Sequence, residues 1–317
     1  MKSQTRLLVI GVSVLLGFIL PLVASEYTLT VLSLALIYAI IATGYNVLFG
    51  YAGQFSFGHM AFAGLGAYTC SLLVTKGGWP YVWALLAGMT TVSFLAAAVG
   101  YPGLALRGHF FGISTLAVGE SVVLLLTNLE RLTGGTQGLL VLQRPRILGF
   151  EISSPEAWYY TVLTVFLCVT LVVWIVITKT TLGKAWIAVR GDEDLAEALG
   201  VHSKVAKLTA FVVGSTLAAL GGCLYAPFMS CLTPEQFGVS GTIEVLMMVL
   251  IGGRGTVVGP LLGSLLLTWV PQVLRMGPQL RLVTYGLILV VVILVMPRGV
   301  MGLVERRREG TSVARVS

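Results

Sequence analysis

The sequence predicts an all-α integral membrane protein: a polytopic helical bundle of about ten spans with glycine-broken helices. Three observations carry that prediction. The 317 residues are 56% hydrophobic and only 10% charged, with a mean hydropathy of +0.94. A soluble domain carries roughly 25% charged residues, so this chain cannot clothe a water-facing surface. Apolar runs of about 20 residues recur, each long enough to cross ~30 Å of hydrocarbon. The short dyad-alternating segments of a membrane β-barrel are missing from the pattern.

Ten apolar segments follow in order, at about 7–24, 28–49, 54–75, 80–105, 108–128, 157–178, 206–227, 241–252, 256–276 and 280–297. The first follows Lys2 and Arg6 and ends at Val23-Ala24-Ser25, which resembles a cleavage site. A signal peptide needs only ~7–15 apolar residues, so a retained span is the reading; cleavage would leave the remaining topology unchanged. Segment 241–252 is too short to cross without its flanks, so eight or nine spans remain open. With the N-terminus in the cytoplasm, alternation places 14 of the 20 Lys and Arg inside and 6 outside. That bias supports cytoplasmic N- and C-termini. Residues 1–305 read as one transmembrane domain and 306–317 as a polar cytoplasmic tail. Residues 129–156 form an outer loop and 179–205 an inner one.

Two segments are interrupted by glycine. The stretch GYAGQFSFGHMAFAGLGAY at 50–68 has a partner in GGRGTVVGP at 252–260. Gly50-x-x-Gly53 matches Gly252-x-x-Gly255, and Gly58 and Gly259 close the two breaks. Lipid cannot satisfy the backbone groups that a break exposes, at several kcal/mol each, so such backbone must be packed over or line a watery cavity. Paired breaks in two halves of a chain point to a transporter's pathway or hinge. Gln54, Ser56 and His59 add polar side chains to the first break. A helix starting near Ser56 would aim free N–H groups at an anionic group. Close helix packing is the competing reading for Gly58, Gly64 and Gly66.

Glu120, in the fifth segment, stands alone as a clear intramembrane acid. Such a carboxylate is a pathway candidate by default, with a structural partner for a buried donor as the alternative. Asn128 follows at the outer end. In the inner loop, AWIAVRGDEDLAEALG at 185–200 reads as a short amphipathic helix, a glycine joint and a second short helix. Asp192, Glu193 and Asp194 suit the second helix's N-terminus and Gly200 its C-cap. Mixed charge on a helix pair of this length fits docking on a cytoplasmic partner.

Several chemistries are excluded by pattern. His59, His109 and His202 form no H-E-x-x-H or other metal-ligand spacing, and Gly183-Lys184 lacks the earlier glycine of a phosphate-binding loop. No catalytic site and no metal site are therefore expected. Cys70, Cys168, Cys223 and Cys231 make no C-x-x-C pair and read as free thiols. The net charge of +7 sits at the ends of apolar runs, facing membrane lipid and water rather than nucleic acid.

The motifs GYAGQFSFGHMAFAGLGAY, TLAVGESVVLLLTNLERLTGGTQGL, TLGKAWIAVRGDEDLAEALGV, IGGRGTVVGPLLGSLLL and MPRGVMGL, in this order over residues 44–303, resemble the permease subunits of bacterial ABC importers for branched-chain amino acids. The resemblance is to the longer of the two paired permeases. It implies an inner-membrane protein working with a second homologous permease, two cytoplasmic ATPase subunits and an external solute-binding protein. ATP and Mg would then be used by the ATPases, and this chain would carry no cofactor. The resemblance also assigns ATPase coupling to residues 179–205, including Gly183, Arg190, Asp192, Glu193, Asp194, Ala196, Glu197 and Gly200. Asp194, Ala196 and Gly200 fall where many importer permeases carry E-A-A-x-x-x-G. The match is degenerate, with Asp for Glu, Leu195 for the first Ala and no I-x-L-P ending.

The mechanism implied is alternating access for a small-molecule solute, with the glycine breaks as wall and hinge. An importer of the same type for urea or short amides is an open alternative. So is an ion-coupled secondary carrier, although a single clear acid argues against a relay.

Overall fold

The computed structural model describes residues 17–22, 24–103, 109–141, 145–147, 150–152, 154–273, 284–287, 290, 294 and 299–301. Most of segment 7–24, most of 280–297, and the tail from 306 lie outside the described residues.

Helix α1 spans Glu26–Tyr45. Ser25 caps it by accepting the Thr28 amide, and Glu26 sits in the first turn where its charge suits the helix dipole. The helix then widens into a π-type turn at Asn46–Tyr51. Such turns mark functional sites more often than plain helix does. Helix α2 covers His59–Thr75, α3 Tyr81–Gly103, α4 His109–Asn128 and α5 Pro155–Lys179. Two short helices follow, α6 at Thr181–Gly191 and α7 at Glu193–Ala198. Helix α8 runs over Ser203–Met229, α9 over Val239–Gly252 and α10 over Gly259–Val273.

Five of these helices are long and apolar enough to span: α1 with its π turn, α3, the Phe110–Asn128 part of α4, α5 and α8. Helices α2, α9 and α10 are shorter and apolar. The most apolar stretches of α1 and α8 are 83% and 67% buried, against 22%, 28% and 33% in α3, α4 and α5. The first pair forms the centre, and the other three present faces to lipid or to a partner.

Small residues set the spacing of that centre. A methyl placed on Gly44 of α1 would lie 2.5 Å from the Gly214 carbonyl oxygen of α8, and one on Gly66 of α2 would lie 2.7 Å from Ala219. Both distances are inside van der Waals contact, so only glycine allows these backbones to meet. The packing role weighed for Gly58, Gly64 and Gly66 therefore holds: Gly64 abuts the Phe237 ring and Gly58 abuts Thr115 and Gly119 of α4.

The loops at the α1 N-terminal end carry four two-residue strands, a small departure from a purely helical chain. Strand β1 (Leu139–Leu140) pairs with β4 (Cys231–Leu232), and β2 (Arg146–Ile147) with β3 (Phe150–Glu151), both antiparallel. The β1–β4 pair ties the 129–156 loop to the link between α8 and α9.

Alternation of the helices puts the two glycine breaks and loop 179–205 at one end of the bundle. Lys76 donates to the Arg131 and Leu132 carbonyls and the Tyr27 hydroxyl donates to Gln272 Oε1 at the other end.

Candidate functional site

The two breaks meet in space, and Asn46 joins them. Its side-chain amide donates to the Thr256 carbonyl at 2.8 Å, and its Oδ1 accepts the Gly255 amide at 2.8 Å. Arg190, on the last turn of α6, donates from Nη1 to the Gly50 carbonyl. Gly53, at φ +72°, lies against the Arg190 stem; Gly255, also at φ +72°, lies beside its guanidinium. A side chain at either position would be strained in the left-handed region and would strike the arginine. Burial and the neighbouring Arg254 guanidinium lower the Arg190 pKa from its ordinary value, and nearby Tyr51 opposes that. Arg254 in turn sits 5.8 Å above the Phe49 ring.

Beyond Gly53 the first break climbs into the bundle. Its backbone is satisfied by neighbours: Gln54 N–H donates to the Leu48 carbonyl, and the Tyr45 hydroxyl donates to the Ser56 carbonyl at 3.0 Å. Phe57 N–H donates to Thr115 Oγ1 of α4, and Met60 N–H donates to Thr242 Oγ1 of α9. Helix α2 therefore starts at His59 rather than near Ser56, because Thr115 takes the Phe57 amide and holds 53–58 out of the helix. Gln54, Ser56 and His59 are all buried. His59 Nε2 donates to the Ile41 carbonyl at 3.1 Å, which leaves Nδ1 as an acceptor. Gln54 Oε1, Ser56 Oγ and His59 Nδ1 are buried without hydrogen-bond partners. Three such atoms within six residues make this the most polar unsatisfied stretch among the described residues.

The second break is tighter. Gly252 packs on the Gly259 carbonyl and Gly263, and Gly259 N–H donates to Thr256 Oγ1 at 3.1 Å. Glu120 lies on the exposed face of α4, where its Oε1 accepts the Val239 amide at the start of α9 at 3.3 Å. Asn128 is exposed at the end of the same helix and joins neither break. Glu120 is not the sole acid within the apolar segments. Glu244 sits half-buried on α9, within electrostatic reach of Tyr38 of α1. It falls within α9, which starts at Val239.

In the 179–205 loop the joint falls at Asp192, not at Gly191. Asp192 takes an extended backbone (φ −156°, ψ 116°), and its carboxylate caps α7 by accepting the Leu195 amide at 3.0 Å. Glu193 pairs with Lys207 of α8 at 2.5 Å, and Glu197 accepts the Ser203 hydroxyl. Ala196 and Gly183 are buried, Gly183 against the Val176 and Ile177 backbone. Asp194 is exposed; the C-cap is Leu199 rather than the expected Gly200, which follows it at φ +86° in the left-handed position that ends the unit. Between α6 and the start of α8 lies a groove of about 480 Å³, lined by Leu182, Ala185, Ala188, Val201 and Val205 with Lys184 at its rim. Among the described residues no three His, Cys, Asp or Glu side chains converge as metal ligands would.

Sequence reasoning missed Asn46, Thr115 and Thr242. Asn46 carried a signal, as a lone amide in an apolar run one helical turn before Gly50. The two threonines carried none, since their partners lie far along the chain.

A family profile described as the permease component of the branched-chain amino acid transport system matches residues 27–296. The chain belongs to that family. It is a non-catalytic transmembrane permease component of a branched-chain amino acid transport system. It is 29% identical to the high-affinity branched-chain amino acid transport system permease protein LivM of Escherichia coli, over 89% of this chain and 71% of the relative. It is 24% identical to LivH of the same organism, over 84% of this chain and 91% of the relative. The autoinducer 2 import system permease protein LsrC of Salmonella paratyphi B is 29% identical over about half of each chain, 51% and 46%. No solved structure matches.

Proposed function

We propose that the chain is one of two paired permeases of an ABC importer for branched-chain, hydrophobic amino acids in the bacterial inner membrane. The observation that carries this reading is the convergence of both glycine breaks with loop 179–205 at one end of the bundle. That end faces the cytoplasm in this reading, as the charge bias expects. One of the two partner ATPases docks on loop 179–205, where Leu182, Ile187, Leu195 and Leu199 stay exposed on an otherwise charged surface and the groove between α6 and α8 opens. An external binding protein delivers solute to the opposite end. Gln54, Ser56, His59, Glu120 and Asn128 mark the pathway, and the glycines of the breaks let its walls move. About ten spans are expected once the segments at 7–24 and 280–297 are counted.

A mild-detergent pull-down of the tagged chain from its own host tests this. A second permease and two ATPases with phosphate-binding loops are expected in the eluate. The chain recovered alone or as a homo-oligomer, with uptake that survives ATP depletion and collapses with the proton gradient, would favour an ion-coupled carrier instead.

A further inference from the structure

Arg190 is expected to face the ATPase, yet, while the residue stays exposed, its guanidinium reaches the backbone of the first break. It bonds the Gly50 carbonyl, its stem covers Gly53, and Gly255 lies against its tip. Asn46 holds Gly255 and Thr256 with both ends of its amide. One arginine from the cytoplasmic loop and one asparagine from the π turn after α1 thus engage both breaks, which are about 200 residues apart in sequence. The breaks lack helical hydrogen bonds, so these contacts supply much of what defines their conformation. A charged donor to a backbone carbonyl is also stronger and shorter than a neutral one.

We propose that Arg190 and Asn46 form a latch that positions the two glycine breaks, so that displacement of α6 releases the first break from the second. Arg190 is then a positioning residue for translocation and not an ATPase contact. The idea rests on the permease reading, since it needs an ATPase to move α6. Its geometric basis is independent of the cargo. Motion of α6 withdraws the Gly50 bond directly. It also removes the arginine from Gly255, whose amide and whose neighbour Thr256 remain with the π turn through Asn46.

The test uses the assembled transporter from the native host, reconstituted in proteoliposomes with its binding protein. Arg190→Gln is expected to keep both ATPases on pull-down and to lower uptake at least tenfold. Arg190→Lys, which restores one charged donor to the Gly50 carbonyl, is expected to recover uptake to within about threefold. Asn46→Asp keeps the acceptor for Gly255 and loses the donor to Thr256, and should raise the ATP hydrolysed per solute moved. The double variant Arg190→Gln/Asn46→Asp should be no worse than the weaker single, because both break one device. Loss of the ATPases from Arg190→Gln would make it a docking residue and overturn the proposal, as would normal uptake by that variant. A second measurement needs no substitution. Amide exchange in the wild-type complex should rise in peptides covering 50–58, and less in those covering 252–258, when ATP and vanadate are added. A rise confined to 252–258, or no rise at 50–58, would also overturn it. Absence of any ATPase from the wild-type complex is a different failure, that of the permease reading itself.

Discussion

Replacing Glu120 separates two opposite views of the α4 face. Glu120 lies twelfth in a 20-residue helix, so its Cα is about 16 Å from one end and 12 Å from the other at 1.5 Å per residue. That is near mid-depth. A charge facing lipid there costs about 2.5–3.5 kcal/mol, whereas a leucine gains about 0.5. If the face meets lipid, Glu120→Leu should stabilise the chain by roughly 3 kcal/mol, more than a hundredfold in the folding equilibrium. If the face lines a watery path, the sign reverses. The variant then loses the bond from the Val239 amide to Glu120 Oε1, which at 3.3 Å and with partial exposure is worth about 1 kcal/mol. We expect the second outcome: the unfolding midpoint in mixed micelles falls modestly and uptake falls at least tenfold. Glu120→Gln keeps the oxygen acceptor, so its stability should match wild type while uptake still drops. A stabilised Glu120→Leu that transports normally would refute the pathway assignment and send this face to the lipid.

Three further outcomes follow from the packing and the loop. Gly44→Val should cost about 1–3 kcal/mol by forcing α1 from α8, whereas Gly191→Ala, with open space around it, should be neutral or slightly stabilising; unfolding in mixed micelles compares the two. Asp192→Ala removes the cap on Leu195 N–H, worth about 1 kcal/mol, and should raise amide exchange over residues 193–200 roughly fivefold. Gly200→Pro combined with Asp194→Lys should release the ATPases from a pull-down, since proline near φ −65° cannot take the +86° of Gly200 and α7 must detach from α8; retention of the ATPases would remove this loop from the docking surface.

The spans were legible because lipid enforces long apolar runs, and both breaks were legible because glycine and polar residues interrupt those runs. Their meeting at one end also followed from alternation. What the sequence withheld is the set of partners. Asn46 reaches Thr256, Thr115 reaches Phe57 and Thr242 reaches Met60, and in an apolar run a single hydroxyl or amide names no partner. The helix starts shifted for the same reason: Thr115 competes for the amide that would have begun α2 at Ser56. The bond from Arg190 to Gly50 was hidden because a basic residue at the end of a cytoplasmic helix reads equally well as a docking charge.

The accounting of backbone groups explains how the breaks can be both stable and movable. The groups freed at 50–60 and 255–256 are met from four other elements: Tyr45 and Asn46 on α1 and its π turn, Thr115 on α4, Thr242 on α9 and Arg190 on α6. Each such bond left unmade in a dry site costs about 1–3 kcal/mol. Moving any one of those helices alone therefore strands a donor or acceptor in the break. Two routes avoid that cost: the elements move together, or water enters as they part. The partnerless atoms at Gln54, Ser56 and His59 favour the second route at the first break, because water entering there gains bonds that the closed packing does not provide. In the second break Thr256 Oγ1 donates to the Gly253 carbonyl and accepts the Gly259 amide, and the backbone bonds to Asn46. The two breaks should thus differ in kind, the first hydrating as it opens and the second shifting as a unit. Solvent-accessibility labelling of cysteines placed at Phe57 and Val257 in the resting and ATP-trapped complex would distinguish them: labelling should rise strongly at Phe57 and little at Val257, and an equal rise at both would show that the breaks open alike.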